Sequence, residues 1–444
     1  MRALLYANTD GIANLYHGSG VQTRVLLDIW RETARKLSSA GCDDWRLHVA
    51  VHDWETPSTD YRVDSAVLHD SLAKAREGDV RIHRLEHTPH TKLWSYPRWA
   101  ELSSSVTALL SRLAEEYEQV LFVGVDVPYS LVREHCENSL PPHKLEKITF
   151  ALSFHTSALV AGQTWLPGRE ALERDYVRRA NEDASTFITT LTPFFDRKIE
   201  LDYGARDEAW MRLGHGIAPR SANLTPYPRE KAVEIAGSFG IPRGVPIVVH
   251  FGRDHPMKRI PFAIEAVARV GRPLHFVLIA STPANAEGIA DAPHADQLKQ
   301  ELDSYTYLTH FERELPKALA QLPETVAFLL SAAGEPMGQI PQEVACWTDS
   351  AAPVVVAPED GGYGDQISDA ETGFTFDVHS VASCTRAIER AMKATLNERK
   401  AISVKMKNLV HENFDASTKL CRLLMSVESG EHGMPRRQAG AEAK

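Results

Sequence analysis

The chain has 444 residues, 43% hydrophobic and 24% charged, proportions that exclude wholesale disorder and collagen-like or low-complexity architecture. At roughly 150 residues per domain it should hold two or three domains. Lys and Arg number 49 against 59 Asp and Glu, a net charge of −10. That is the wrong sign for a general nucleic-acid or anionic-membrane binder, so no nucleic-acid partner is expected.

The opening run 1–7 is apolar but reaches Asn8, Asp10 and Gly11 too soon for a signal peptide. No stretch approaches the roughly 18–20 uninterrupted apolar residues of a membrane helix, so no stable membrane insertion is expected. Five cysteines, Cys42, Cys136, Cys346, Cys384 and Cys421, are scattered and odd in number. This usage fits a reducing compartment better than a disulfide framework or a zinc site. A cytoplasmic protein is the expectation.

In chain order, short apolar runs at 3–6, 47–51, 80–85, 120–123, 148–153 and 185–190 read as strands. Amphipathic stretches at 21–37, 65–76, 99–117 and 169–183 read as helices between them. Uniformly apolar strands separated by helices indicate a parallel sheet covered on both faces. Prolines 226, 228, 242 and 246, with glycines 237, 240 and 244, then mark a turn-rich connection around a helix at 229–239. The pattern restarts with strands at 246–251, 274–280, 326–330 and 353–356 and helices at 261–270 and 295–304. Helices at 381–394, 399–414 and 417–427 close the chain. The expected fold class is α/β, with two Rossmann-like doubly wound parallel-sheet domains facing across a cleft. The first domain is drawn at 1–220 and the second at 221–411. A last helix, about 412–427, packs back on the first, and 428–444 form a flexible tail.

Two stretches carry the chemistry. The strand at 246–251 leads into Gly252-Arg253-Asp254-His255-Pro256-Met257-Lys258, two cations in a strand-to-helix loop, placed to neutralise a diphosphate. The strand at 326–330 leads into Glu335-Pro336-Met337-Gly338-Gln339-Ile340-Pro341-Gln342-Glu343. Pro341 suits the first turn of a helix, and such a turn directs backbone N–H groups at an anion. Glu335 before that helix and Glu343 in its first turn can accept hydrogen bonds from sugar or ribose hydroxyls. In the first half, Tyr16-His17-Gly18-Ser19-Gly20 opens the first helix, where glycines let the backbone approach an anion. Ser153-Phe154-His155-Thr156 closes a strand. His83, His87 and His90 fall at a spacing that suggests a metal, but Thr88, Pro89 and Thr91 around them read as loop and no second ligand cluster accompanies them, so no metal site is expected.

Taken in order, Gly252-Arg253, Lys258, Glu335, Glu343, Gly361-Gly362 and Thr372-Gly373-Phe374 resemble a retaining GT-B glycosyltransferase of the glycosyltransferase family 4 type. The resemblance runs over residues 1–425 and is denser in the second half. It implies Arg253 and Lys258 at a donor diphosphate, Glu335 at the donor sugar and Glu343 at the ribose hydroxyls. Backbone amides of Met337, Gly338 and Gln339 fall near the sugar or phosphate, and Gly18 and Gly20 beside the donor phosphates. His155 matches the family's cleft histidine, stabilising or positioning the donor sugar. Asp126 stands alone where metal-dependent glycosyltransferases carry an Asp-x-Asp element, so a metal-independent enzyme is implied. The co-substrate is then a nucleoside-diphosphate sugar, with no further cofactor.

The sequence departs from the family pattern at Pro336-Met337, where the family has glycine and an aromatic. It departs again at His215, where the family has asparagine. The implied function is sugar transfer to a soluble small-molecule acceptor, such as a natural-product or metabolite intermediate. A nucleotide-sugar epimerase, a phosphorylase and a degenerate sugar-nucleotide-binding protein stand as alternatives. The nucleotide, the sugar, the acceptor and homo-oligomerisation are left open by the sequence.

Overall fold

The computed structural model describes residues 1–13, 18–56, 63–160, 162, 166, 168–211, 213, 215–281, 292–310, 312–349 and 351–430. The chain divides into two units, residues 1–215 with 416–444, and residues 216–415. In the N-terminal unit six strands form one parallel sheet: β1 (Arg2–Asn8), β2 (Trp45–His52), β3 (Arg81–Leu85), β4 (Gln119–Val125), β5 (Ile148–Phe154) and β6 (Thr186–Thr190). Their order is β3-β2-β1-β4-β5-β6. Every residue of β5 is buried, as is all of β1 after Arg2, because helices cover both faces of a parallel sheet.

The C-terminal unit repeats this plan with β7 (Ile247–Arg253), β8 (His275–Ser281), β9 (Tyr305–Leu308), β10 (Thr325–Leu329), β11 (Val354–Pro358) and β12 (Phe374–Phe376). Their order is β12-β11-β10-β7-β8-β9, with parallel pairing throughout. Side chains alternate across this sheet as its pleat requires. Ile247, Val249, Val277, Ile279, Phe328 and Val355 enter one core, and Val248, Phe276, Leu278, Val354 and Val356 the other. In each unit the chain starts on an inner strand and reverses direction after three strands. The reversal opens a crevice at the carboxyl ends of β1 and β4, and of β7 and β10, where ligands bind in open α/β sheets.

Several expectations need correction. Tyr305–Leu308 is an edge strand whose residues are all half-buried, so it lacks the apolar run of the inner strands. Phe374–Phe376 adds a three-residue edge strand. Pro193–Tyr203 is a helix with Thr192 capping the Phe195 amide and Gly204 ending it in the left-handed conformation, a cap and a stop that are both visible in the sequence. The final helix, Ala416–Ser429, takes in the first residues assigned to the tail. Lys36 Nζ donates to Ser417 Oγ at 2.6 Å and Thr418 Oγ1 at 2.8 Å, tying that helix to Gly18–Ser39 within the N-terminal unit. Positions 431–444 lie outside the described residues. No helix among the described residues is long and apolar enough to cross a membrane.

Candidate functional site

The switch point between β7 and β10 is built from three loops. β7 runs two residues further than its apolar core suggests, because Gly252 and Arg253 pair with Ala280 and Ser281 of β8. Arg253 is therefore the last residue of the strand, a correction to its expected loop position. The residue is half-buried and forms no ion pair among the described residues. Beyond it, His255 Nδ1 caps the Met257 amide at 3.2 Å, starting the short turn Pro256–Lys258. Lys258 Nζ then reaches across the crevice to Glu335 Oε2 at 2.5 Å, in the loop after β10. Only 18% and 15% of these side chains are exposed, which strengthens the attraction over that of a surface pair.

The lysine is held from behind. Ser331 Oγ donates to the Lys258 carbonyl at 2.6 Å. With its proton so engaged, that hydroxyl accepts from His250 Nε2, 3.1 Å away. Burial, and then the charge of Lys258, push the His250 imidazole down to about 3. It is neutral near pH 7, with the tautomer set by Ser331. His255 is depressed too, first by burial and then by Arg253 and Lys258.

The loop after Glu335 is locked against the β11 loop. The Gly362 amide donates to the Glu335 carbonyl at 2.7 Å. The buried Gln366 amide nitrogen donates to the carbonyls of Met337 at 2.5 Å, Gly338 at 3.1 Å and Gly362 at 2.9 Å. Gln342 holds Gln366 in turn, donating to its carbonyl oxygen at 3.0 Å. No peptide among the described residues is cis, so each carbonyl points opposite to the next N–H. The carbonyls of Met337 and Gly338 face Gln366, and the amides of Gly338 and Gln339 face away from it. Gly338 has φ of 68°, and a Cβ there would lie 2.2 Å from Tyr363 Cε1. At Gly362 a Cβ would lie 2.5 Å from the Pro336 carbonyl oxygen. The helix Ile340–Trp347 follows with Pro341 and Glu343 in its first turn. Glu343 does not join Glu335, since its Oε1 accepts from Arg313 Nη2 at 3.0 Å.

The N-terminal unit has its own cluster at the equivalent place. Asp126, just after β4, has φ of 59° and ψ of −178°, a backbone conformation that non-glycine residues rarely adopt. Its Oδ1 accepts the amides of His155 at 2.8 Å and Thr156 at 3.0 Å. Burial raises its carboxyl to about 7 in spite of Arg169 and these two donors. His155 is pushed down to about 4 by burial, and its Nε2 is buried without a hydrogen-bond partner among the described residues. The His215 ring meets it edge to face, with centroids 4.6 Å apart. The His215 carbonyl accepts from Lys419 Nζ at 2.6 Å.

Tyr16 and His17 lie outside the described residues. Gly18 and Gly20 belong to the first turn of the helix Gly18–Ser39, so they extend no open loop, and Gly20 is buried. Among the described residues, no group of three or more potential metal ligands occurs. Sequence reasoning missed Gln366, Arg313 and the role of Asp126. The double glycine at 361–362 was the available signal for the first of these.

Two doubly wound sheets of this kind define the GT-B fold. Residues 233–408, which contain Arg253, Lys258, Glu335 and Glu343, match the family model described as Glycosyl transferases group 1. The fold is similar to sucrose-phosphate synthase from Thermosynechococcus elongatus, with a TM-score of 0.69 and 14% identity over 97% of this chain and 100% of that one. It is also similar to Anabaena HepE in complex with UDP-glucose, with a TM-score of 0.66 and 15% identity over 96% and 99% of the two chains. The catalytic domain of starch synthase IV from Arabidopsis thaliana, bound to ADP and acarbose, has a TM-score of 0.66 and 14% identity over 96% and 99%. No curated protein sequence matches the chain.

Proposed function

We propose that the protein is a retaining, metal-independent glycosyltransferase of the family 4 type. On this reading it moves a sugar from a nucleoside-diphosphate donor to a small soluble acceptor in the cytoplasm. The observation that carries the reading is the Lys258–Glu335 pair across the β7/β10 switch point, with Arg253 at the end of β7. It lies within the stretch that matches a glycosyltransferase family. Structural neighbours bound to UDP-glucose and to ADP support a nucleotide donor.

Breaking the glycosidic bond leaves charge on the diphosphate, and fixed donors aimed at such charge usually contribute more to the rate than any other effect. Arg253, Lys258 and the amides of Gly338 and Gln339 are assigned that task. In the free protein Lys258 is matched by Glu335. An arriving diphosphate shares the cation and frees the carboxylate for the hydroxyls of the donor sugar. Glu343 is assigned to the ribose. The departing phosphate takes the acceptor's proton, so no side-chain base is needed and the acceptor enters on the face the diphosphate leaves. His155, neutral at pH 7, is assigned to positioning the sugar rather than to nucleophilic attack. Gly18 and Gly20 keep a donor-side assignment only as a helix terminus.

The test is incubation of the full chain with UDP-, ADP- and GDP-sugars and an acceptor panel in EDTA. Release of nucleoside diphosphate and the anomeric configuration of the product are followed by NMR. Transfer with retention is expected, and inversion would overturn the retaining assignment. Epimerised donor without transfer would point to an epimerase. Phosphate-dependent release of a sugar phosphate would point to a phosphorylase, and binding without turnover to a degenerate protein.

A further inference from the structure

The Glu343 carboxylate is held by a residue from a distant part of the sheet. Arg313 lies between edge strand β9 and the helix Glu314–Leu319, 30 residues from Glu343 in sequence. The backbone just after it is fixed, because Glu312 Oε1 accepts the amides of Glu314 at 2.6 Å and Leu315 at 3.2 Å. From there Arg313 Nη2 donates to Glu343 Oε1 at 3.0 Å, with 13% of the glutamate side chain exposed and 31% of the arginine. A glutamate in the first turn of a helix retains several rotamers. One anchored oxygen narrows that freedom and biases the plane in which the other oxygen accepts.

We propose that Arg313 is a positioning residue that makes Glu343 a selective reader of the nucleotide ribose. The inference rests on the donor reading above, which assigns Glu343 to the ribose hydroxyls. It adds that recognition of the hydroxyl pair depends on the carboxylate orientation that Arg313 imposes. A ribose hydroxyl donating to a fixed, ionised oxygen forms a charge-assisted hydrogen bond. Loss of one such partner weakens binding by about tenfold or more. A carboxylate free to turn should forfeit most of that discrimination, because it orders itself only on binding.

The experiment measures dissociation constants of the full chain for UDP, ADP and GDP and for their 2′-deoxy counterparts. Wild type, Arg313→Ala, Arg313→Lys and Glu343→Gln are compared, with circular dichroism and melting curves to verify folding. Wild type should prefer the ribonucleotide that it binds best over its 2′-deoxy form by about tenfold. Arg313→Ala should lower that ratio at least about threefold, chiefly by weakening the ribonucleotide. Arg313→Lys, which keeps the charge on a shorter-reaching, freely rotating ammonium, should fall between. Should Arg313→Ala fail to fold, Arg313→Lys alone decides, and an unchanged ratio there overturns the proposal. Equal weakening of ribo and deoxy forms by Arg313→Ala also overturns it, as does a lost ratio in Glu343→Gln with a retained one in Arg313→Ala. Failure of wild type to bind any of the nucleotides would instead remove the donor reading itself. A merely structural arginine would change melting temperature and leave the ratio intact.

Discussion

In both units the chain enters a six-stranded parallel sheet at an inner strand, and a buried polar side chain ties the loops of two neighbouring strands. In the C-terminal unit the tie is Gln366, which joins the loop after β11 to that after β10. In the N-terminal unit it is Asp126, which joins the loop after β4 to that after β5. The chemistry differs. The loop that Gln366 holds begins with Glu335, which is paired with Lys258 of the β7 loop that Arg253 opens. These groups match an anion and a polyol. Around Asp126 stand His155 and His215, desolvated and neutral. One topology therefore supports an electrostatic site in one unit and a buried site with titrating groups in the other, because the fold fixes where loops meet and the side chains fix what they bind.

The predictions test this contrast. The largest effect is expected from the charge at Asp126. Its folded carboxyl is raised to about 7, so between about pH 4 and 7 the folded state holds a proton that the unfolded state has lost. Linkage then makes this contribution fall as pH rises through that window. The stability of wild type relative to Asp126→Asn should decline on the order of a few kcal/mol from pH 4 to pH 7. Urea denaturation across the range measures it, and a flat difference would remove the buried-acid description. His155 pulls the other way: depressed to about 4, it adds stability as pH rises from about 4 to 6.5, in both proteins alike.

Next in size is Lys258→Ala, which should lower nucleoside-diphosphate release on the order of a hundredfold while the fold persists. Unaltered kinetics would take the lysine out of the site. Gly338→Ala should cost about 1–3 kcal/mol through the clash with Tyr363 and the left-handed backbone, read by chemical denaturation. A neutral result would mean that this loop is looser than its Gln366 contacts indicate. The smallest change is expected from Ser331→Ala, which breaks the link from His250 to the Lys258 carbonyl. It should cost about 1 kcal/mol, with a higher KM for the donor and little change in kcat.

The sequence made β7 legible because the run at 247–249 is apolar and a cation follows at each end of the turn. Glu335 and Glu343 were legible as a pair because their spacing is local. What escaped was long-range. Gln366 reaches Gly338 over 28 residues, and Asp126 reaches His155 over 29. A side chain that binds a distant backbone leaves no periodic trace. The same reason hid the separation of the glutamates, since the cations that hold them lie 77 and 30 residues away. Edge strand β9 escaped because its half-buried Tyr305-Thr306-Tyr307-Leu308 lacks the continuous apolar run of inner strands.

On the proposed reading, the β7/β10 crevice of the C-terminal unit binds a nucleoside diphosphate through protein cations. The most direct test is a thermal-shift titration of the full chain with UDP, ADP and GDP in EDTA, repeated on Lys258→Ala. One diphosphate should stabilise wild type by about 2.7 kcal/mol at a hundred times its dissociation constant, and the shift should largely vanish in Lys258→Ala. An absent shift with every nucleotide, or one that Lys258→Ala retains in full, would contradict the account.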